Sequence, residues 1–439
     1  MATGGSYGDE LPPSYFEAVK LSGALGDSAA GPHQDASGNP YVFAPGDPNP
    51  YRWIGEQETG VYFKDFVPTS VDPYNLASNE PFNKQVEGAN DWLSQQPDIV
   101  IVSCETVEFK VRSSGKIDLQ RTNYRESDDG RTVIAYGLRL WLRSPGKQEG
   151  RHGPQISYRD IIPATSYSPD HSGEDEDLSM ALLQSCDQCT DGEEKLHLSG
   201  GKTVDPERTV SKERGDSRTV YLNLFRIYFE VNTSSAAVQG ELGFKDFSPA
   251  EHSHTQLLAQ LTRWLQTGEL SGWQVTNLET VTQKIKRSGG KNKILPRRAV
   301  YTEHGEAHTY YLKILRLFYV RYHNHPSPRD LIITSKAFYP IREDSKFEDA
   351  TSLNSRIFEW TKAAGAKVLA VETVPSRVGR SAERKEGYEV MHTDNDGEKA
   401  ERFEYIIWVY IDGEYSEPPP SVIPPPPIHR TDNTDCTLL

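Results

Sequence analysis

The chain has 439 residues and a formal net charge of −15, and its length suggests about two to four domains. This acidic balance opposes contact with phosphate backbones, so we expect no nucleic-acid partner. Four cysteines cannot form a secreted disulfide framework, and the sequence shows neither a secretory leader nor an apolar run long enough to cross a membrane. We therefore expect a cytoplasmic protein.

Residues 1–58 are rich in Gly, Pro, Ser, Asp and Asn, which predicts a disordered arm. This arm contains the segment Leu11-Pro-Pro-Ser-Tyr-Phe-Glu-Ala-Val19. Pro12 and Pro13 favour a polyproline II backbone, and Tyr15 can fill a second pocket beside an aromatic groove. The segment resembles the PPxY ligands of WW domains, especially those by which trafficking adaptors engage HECT-type ubiquitin ligases. The resemblance implies a WW-domain protein as partner, bound through Pro12, Pro13 and Tyr15.

A tripeptide organises the rest of the chain: Glu-Thr-Val begins at Glu105, at Glu279 and at Glu372. Each copy follows one tryptophan and precedes an aromatic segment. The tryptophans are Trp92, Trp264 and Trp360, and the aromatic segments are centred on Trp141, Phe318 and Trp408. Landmarks in one order at nearly one spacing indicate an internal repeat of about 75–85 residues. We predict three clear units at residues 60–146, 240–323 and 336–413.

A fourth, degraded unit is predicted at residues 156–232. Its opening segment, Ser157-Tyr-Arg-Asp-Ile-Ile-Pro163, is similar to segments 62–68 and 243–249. Leu224-Phe-Arg-Ile-Tyr-Phe229 resembles a closing strand, and an acidic loop lies between the two. The unit lacks both the tryptophan and the Glu-Thr-Val.

Each unit has the pattern strand, helix, strand, strand. In the first unit Phe82, Val86, Ala89 and Leu93 lie on one helical face. The segments around each Glu-Thr-Val and each closing aromatic residue are β-branched and aromatic, as in strands. A helix on one side of a small antiparallel sheet is an α+β fold. A single unit buries little core, so we expect pairs of units to form two globular halves, residues 60–232 and 240–413.

The repeated glutamates could serve as general bases, but a reaction needs one constellation whereas a packing requirement recurs in every unit. We therefore assign structural roles to the glutamates at 105, 279 and 372, and to the tryptophans at 92, 264 and 360 as core anchors. Arg139 and Arg316 in the closing strands predict cross-strand pairs with the first two glutamates. Ile406 stands at this place in the last unit.

Catalytic and metal motifs fail on inspection, so we predict neither an enzyme nor a metal or cofactor site. Gly201-Lys202-Thr203 resembles the end of a phosphate-binding loop but lacks its first glycine. Cys186 and Cys189 have metal-site spacing without further ligands. The remaining candidates indicate exposed loops: the histidine pairs 252/254 and 323/325 and the basic run 284–293.

Residues 414–439 form a proline-rich tail, for which we expect disorder and an extended spacer that a polyproline-reading domain could also bind. The chain ends in Cys436-Thr-Leu-Leu439, which fits two patterns. Cys436 is a candidate for prenylation, which would give peripheral membrane association. Alternatively, Thr437 and Leu439 form a PDZ ligand. The two alternatives exclude each other because prenyl processing removes the last three residues.

These features favour a non-enzymatic cytosolic adaptor or scaffold, with a WW-binding arm at one end and a membrane or PDZ signal at the other. The alternative is a small-molecule or lipid-binding module with a cavity between helix and sheet.

Overall fold

The computed structural model describes residues 60–69, 71–72, 80–112, 114–125, 133–144, 153–161, 198–204, 209–213, 216–222, 224–231, 240–248, 253–267, 273–284, 286–288, 291–293, 300–304, 309–322, 331–343, 346–378, 392–395, 402–419, 421 and 428–430. The chain divides into two compact units, Met1–Ala44 and Pro45–Leu439, and every described residue belongs to the second. The predicted WW ligand and the C-terminal signal lie outside the described residues. The α+β class is confirmed, since these residues form mostly strands and three helices.

Four antiparallel sheets share one strand order, in which an outer strand and an inner strand flank a central strand. In the order outer, central, inner, the first sheet contains β1 (Tyr62–Phe66), β4 (Ile134–Arg143) and β2 (Val100–Lys110), and the second contains β5 (Gln155–Ile161), β9 (Leu224–Val231) and β6 (Leu198–Val204). The third contains β10 (Gly240–Phe247), β15 (Thr309–Tyr322) and β11 (Trp273–Lys284), and the fourth β16 (Ile333–Phe338), β21 (Arg402–Asp412) and β19 (Val368–Val378). Each inner strand shifts register against its central strand shortly before the Thr-Val pair.

Three helices connect outer to inner strands: α1 (Asn83–Leu93) in the first sheet, α2 (His254–Gln266) in the third and α3 (Ala350–Ala364) in the fourth. Helix α1 buries Val86, Ala89 and Leu93, as the periodicity predicts. The ends of α3 have clear sequence signals. The Asp349 side chain accepts a hydrogen bond from the Ser352 backbone amide, and Gly365 ends the helix at φ 59°.

Strands from the inner-to-central loops pair with the neighbouring sheet. β3 (Asn123–Arg125) of the first sheet pairs with β21 of the fourth, and β20 (His392–Asn395) of the fourth pairs with β15 of the third. β14 (Val300–His304) of the third pairs with β8 (Asp216–Leu222), which follows the second inner strand and also pairs with β7 (Thr209–Glu213). The loops of the first and fourth units therefore reach the sheet that precedes their own in cyclic order, and the loop of the third unit reaches strand β8 in the loop of the second.

Two small sheets complete the described strands. β12 (Lys286–Ser288) and β13 (Lys291–Lys293) form an antiparallel ribbon in the basic run, for which the sequence predicts an exposed loop. The two strands are separated in the sequence by Gly-Gly, a pair typical of two-residue hairpin loops. β18 (Lys346–Glu348) pairs with both β17 (Arg342–Glu343) and β22 (Ile428–Arg430).

The inner strands neighbour one another in a closed cyclic order. β2 lies beside β6 and β19, and β11 lies beside the same two strands. We call these contacts between inner strands the joints between sheets, and the apolar core extends across them. Trp141 of the first sheet packs in one cluster with Ile357 and Trp360 of the fourth. Leu278 of the third sheet packs with Trp408 of the fourth. The expected division into two separate halves is therefore not found, because each inner strand contacts the inner strands of two other sheets.

Helices cover the outer sheet edges of their neighbours. The Asn354 amide of α3 donates to the carbonyl of Phe63 in β1 and accepts from its backbone N–H, at 3.0 and 2.8 Å. Asn90 of α1 makes the same two bonds with Ile156 of β5, at 2.9 and 2.8 Å. Helix α2 lies against β16 in a similar way. These hydrogen bonds satisfy backbone N–H and C=O groups at the sheet edge that could otherwise pair with a strand of another chain.

Candidate functional site

The Glu-Thr-Val glutamates occupy one register position, opposite a fixed place in the central strand. Glu105 lies opposite Arg139, and Glu279 lies opposite Arg316. Glu372, however, lies opposite Trp408. The prediction that Ile406 replaces the arginine in the fourth sheet is therefore wrong. Trp408 stands at the arginine position, and Tyr410 stands where Trp141 and Phe318 stand in the other sheets.

The second sheet has Lys202 at this position, opposite Arg226. Lys202-Thr203-Val204 is the counterpart of Glu-Thr-Val in strand register. In the sequence alone these residues resemble only an incomplete phosphate-binding loop. The retained Thr-Val pair was the signal that could have located this inner strand.

Each of the three arginines forms a two-bond ion pair with an aspartate of its own outer strand. The N···O distances are 2.6 and 2.7 Å for Arg139 with Asp65, 2.7 and 2.7 Å for Arg226 with Asp160, and 2.7 and 2.9 Å for Arg316 with Asp246. The predicted glutamate partner adds a longer contact in the third sheet, where Arg316 Nη1 lies 3.7 Å from Glu279 Oε1. Ala337 faces Trp408 in the fourth sheet, so this ion pair is replaced there.

The Glu105 carboxylate joins the first sheet to the fourth. It accepts hydrogen bonds from the Thr373 backbone amide at 2.8 Å and the Thr373 hydroxyl at 2.6 Å. A third bond, at 2.9 Å, comes from the Trp141 indole of its own sheet. Glu105 is 3% exposed, so the carboxylate is almost fully removed from water. Arg139 Nη1 also donates to the Thr373 hydroxyl oxygen, at 2.9 Å.

Glu372 repeats this arrangement between the fourth sheet and the third. It accepts from the Thr280 backbone amide and hydroxyl, both at 2.6 Å, and from the Tyr410 hydroxyl at 2.6 Å. Burial, and then the negative charge of Glu372, raise the pKa of Tyr410 well above its ordinary value. The tyrosine therefore stays a hydrogen-bond donor at neutral pH.

Thr106 of the first sheet receives the equivalent contact from the second sheet through different side chains. Its hydroxyl pairs closely with the Tyr228 hydroxyl and accepts from Arg226 Nη1 at 3.4 Å. Burial raises the pKa of Tyr228, which favours the neutral phenol. At these three joints, the threonine of one sheet is bound by polar side chains of the next sheet in cyclic order.

His254 is buried, whereas the sequence predicts an exposed histidine in a loop. It is the first residue of α2, and its ring stacks on Trp408 with a centroid distance of 3.8 Å and an interplanar angle of 17°. Its Nε2 lies 3.4 Å from the Tyr410 hydroxyl. The expectation fails because the stacking partner comes from another sheet, which the local sequence does not show.

Lys313 is a buried cation in β15, with 7% of its surface exposed. Burial lowers its pKa from the ordinary 10.5 to about 8, although Glu372 acts in the opposite direction. Because the pKa is lowered overall, the interactions of Lys313 in the folded state do not fully compensate for the desolvation of its charge.

The tryptophans at 92, 264 and 360 lie on α1, α2 and α3 and make the same two contacts with their outer strands. Each packs against a phenylalanine, with centroid distances of 6.0 Å to Phe66, 5.7 Å to Phe247 and 5.4 Å to Phe338 respectively. Each also lies under a lysine ammonium, at 5.9 Å for Lys64, 5.6 Å for Lys245 and 5.5 Å for Lys336. Trp360 is buried, whereas Trp92 and Trp264 are half-buried.

The start of the proline-rich segment covers Trp360. The Trp360 indole donates to Glu417 at 2.9 Å, and Lys336 pairs with the same carboxylate. The Tyr415 ring packs edge-on against Trp360 at 5.0 Å, and its hydroxyl donates to the Ser335 carbonyl at 3.1 Å. Partial burial opposes ionisation of Glu417, but the bonds from Lys336 and Trp360 prevail and lower its pKa. Tyr415 and Glu417, which composition assigned to the tail, thus contact the fourth sheet.

Among the described residues, no group of three or more His, Cys, Asp or Glu side chains is arranged to hold a metal ion. None of the three described helices is long and apolar enough to cross a membrane. Comparisons with protein-family models, with curated proteins and with solved structures found no match.

Proposed function

We propose that the four sheets are copies of one repeated unit and together form a rigid, non-enzymatic scaffold of a cytosolic adaptor. The proposal rests on the observation that polar side chains of the inner strands form hydrogen bonds with the neighbouring sheet. The Glu105 and Glu372 carboxylates are each bound by three donors, two of which belong to the neighbouring sheet. These glutamates therefore hold sheets together.

A catalytic role fits these carboxylates poorly. A general base must face a substrate proton with a free lone pair. Glu105 and Glu372 are 3% and 6% exposed, and their oxygens already accept bonds from Thr373 and Thr280 and from an aromatic side chain of their own sheet. Recognition by the termini is the better-supported function of the chain.

In this proposal the PPxY segment of the N-terminal arm binds a WW domain, such as one carried by a HECT-type ubiquitin ligase. Pro12 and Pro13 supply the extended backbone and Tyr15 supplies the ring for the second pocket. The C-terminus adds either a prenyl group at Cys436 or a PDZ ligand through Thr437 and Leu439. The support for both ends is the sequence pattern.

Capture on immobilised WW domains tests the arm. We expect Tyr15→Ala to abolish capture while thermal unfolding stays unchanged, because the residue lies far along the chain from the buried core. Tyr7→Ala is the matched control, since Tyr7 lies in the same arm outside the motif, and it should bind like the parent. Equal capture of parent and Tyr15→Ala would refute the WW proposal.

The mass of the intact protein from eukaryotic cells distinguishes the two C-terminal alternatives. Loss of Thr437 to Leu439 together with gain of an isoprenoid supports the anchor, and Cys436→Ser should then abolish membrane partitioning. An unmodified terminus rejects prenylation. In that case a peptide ending in Leu439 should bind a PDZ domain, and the same peptide with Leu439→Ala should not.

A further inference from the structure

The fourth sheet shows how a peptide segment binds the surface formed by an outer-strand lysine and phenylalanine with a helix tryptophan. In Tyr415-Ser-Glu417, the glutamate lies between Lys336 and the Trp360 indole, and the tyrosine ring packs on the same indole. The segment therefore uses one carboxylate and one aromatic ring, two residues apart.

The first sheet carries the same three side chains. Lys64 lies 5.9 Å from the Trp92 ring, and Phe66 lies 6.0 Å from it. Lys64 is exposed and Trp92 is half-buried, in contrast to Trp360, which is 1% exposed under its covering segment. No described residue forms an ion pair with Lys64 or accepts a hydrogen bond from the Trp92 indole.

The first unit does not repeat the sequence of the segment that covers Trp360. Leu142 occupies the register position of Ile411, because each lies opposite the outer-strand residue two places before the lysine. Counting on equally from these two residues, the sequence has Gly146 and Gln148 at the places that correspond to Tyr415 and Glu417. Neither residue offers an aromatic ring or a carboxylate.

In the third sheet, a tyrosine of the central strand covers part of the corresponding surface, so this sheet differs from the first. Tyr319 of the central strand places its ring 6.0 Å from Trp264, and its hydroxyl donates to the Phe244 carbonyl at 3.3 Å. Gly243 makes room for this ring, since a Cβ there would lie 2.4 Å from it. In the first sheet, Leu142 stands at the Tyr319 position and supplies no ring.

We infer that the surface formed by Lys64, Phe66 and Trp92 binds an acidic peptide segment of a partner protein, in which an aromatic residue precedes a carboxylate by two positions. The carboxylate binds between the Lys64 ammonium and the Trp92 indole, and the ring packs on Trp92. The Phe63 carbonyl, which corresponds to that of Ser335, already accepts from Asn354. A tyrosine hydroxyl is therefore not required, and phenylalanine serves equally. This inference does not depend on the WW ligand or the C-terminal signal.

The test is a fluorescence-polarisation titration of the full-length protein with a labelled peptide of sequence Gly413–Pro419. We expect saturable binding that Lys64→Gln weakens about tenfold or more, because it removes one charge-assisted bond at an exposed position. A peptide with Gln in place of Glu417 should lose affinity to a similar extent. A peptide with Phe in place of Tyr415 should bind like the parent peptide.

Lys336→Gln is the matched control, because it changes the same lysine on the fourth sheet. Unchanged binding to this variant supports the assignment to the first sheet. Three results would overturn the inference: no saturable binding up to about 1 mM peptide, equal binding to the parent and to Lys64→Gln, or a loss confined to Lys336→Gln. The last result would mean that the peptide exchanges with the chain's own segment at Trp360.

Discussion

Replacing Glu105 by glutamine should destabilise the whole body of the protein, because this side chain connects two sheets. Its partner residue Thr373 is 268 positions away in the sequence. Glutamine keeps the size of the side chain but replaces one acceptor oxygen with a donor. Whichever way the amide turns, a buried donor of Thr373 or Trp141 then faces another donor.

The expected loss in free energy of unfolding is about 2–4 kcal/mol. A buried polar group left without its partner costs about 1–3 kcal/mol, and the remaining bonds lose the contribution of an ionised acceptor, which roughly doubles the strength of a hydrogen bond. Domains of this kind have total stabilities of about 5–15 kcal/mol, so the loss is a large fraction.

Urea denaturation followed by tryptophan fluorescence measures this effect. Glu87→Gln is the control, because Glu87 is an exposed glutamate on α1 and its replacement should change stability by no more than about 0.5 kcal/mol. Thr373→Val completes a double-mutant cycle with Glu105→Gln, for which we expect a coupling energy of about 1 kcal/mol or more. A loss under about 0.5 kcal/mol for Glu105→Gln, or additive single variants, would refute the view that this contact holds the sheets together.

Two further predictions concern the same packing. Lys313 binds fewer protons in the folded than in the unfolded chain between pH 8 and its ordinary pKa of 10.5, so stability should rise with pH from about 8. The rise should end near pH 10, where the buried tyrosines, whose pKa the fold raises, begin to ionise in the unfolded chain only. Lys313→Met should raise stability at pH 7 by about 1–3 kcal/mol and remove that rise in urea titrations at several pH values; an unchanged slope would contradict the assignment. Asn354→Ala leaves the Phe63 amide and carbonyl without the bonds that cover the β1 edge, so it should cost about 1–3 kcal/mol and speed hydrogen exchange in β1. Slow exchange in β1 equal to that of the parent would show that α3 does not protect this edge.

The sequence predicts the elements of the fold better than their assembly. Periodicity located the buried face of α1 with Val86, Ala89 and Leu93, because that signal arises within a few consecutive turns. The joints between sheets were not predicted. A repeated Glu-Thr-Val shows that one environment recurs, but it does not show that the glutamate of one copy binds the threonine of another.

The errors at single residues have the same physical origin. In the sequence, Trp408 aligns with Trp141 because both are large and aromatic. Backbone register, however, places Trp408 at the position of Arg139. Its indole stacks on His254 from another sheet, so the ring occupies the place of an ion pair. Sequence alone placed the arginine partner on the inner strand, although the shorter and closer Asp65 of the outer strand makes the two-bond contact.

The central claim, that recognition lies in the N-terminal arm and the sheets form a structural body, is tested most directly by calorimetric titration of one WW domain. The titration compares the full-length chain with a peptide of residues Asp9–Lys20. We expect one WW domain to bind per chain, with affinities for chain and peptide that agree within about threefold. Binding by the chain that persists after Tyr15→Ala, or no binding by the peptide, would contradict it.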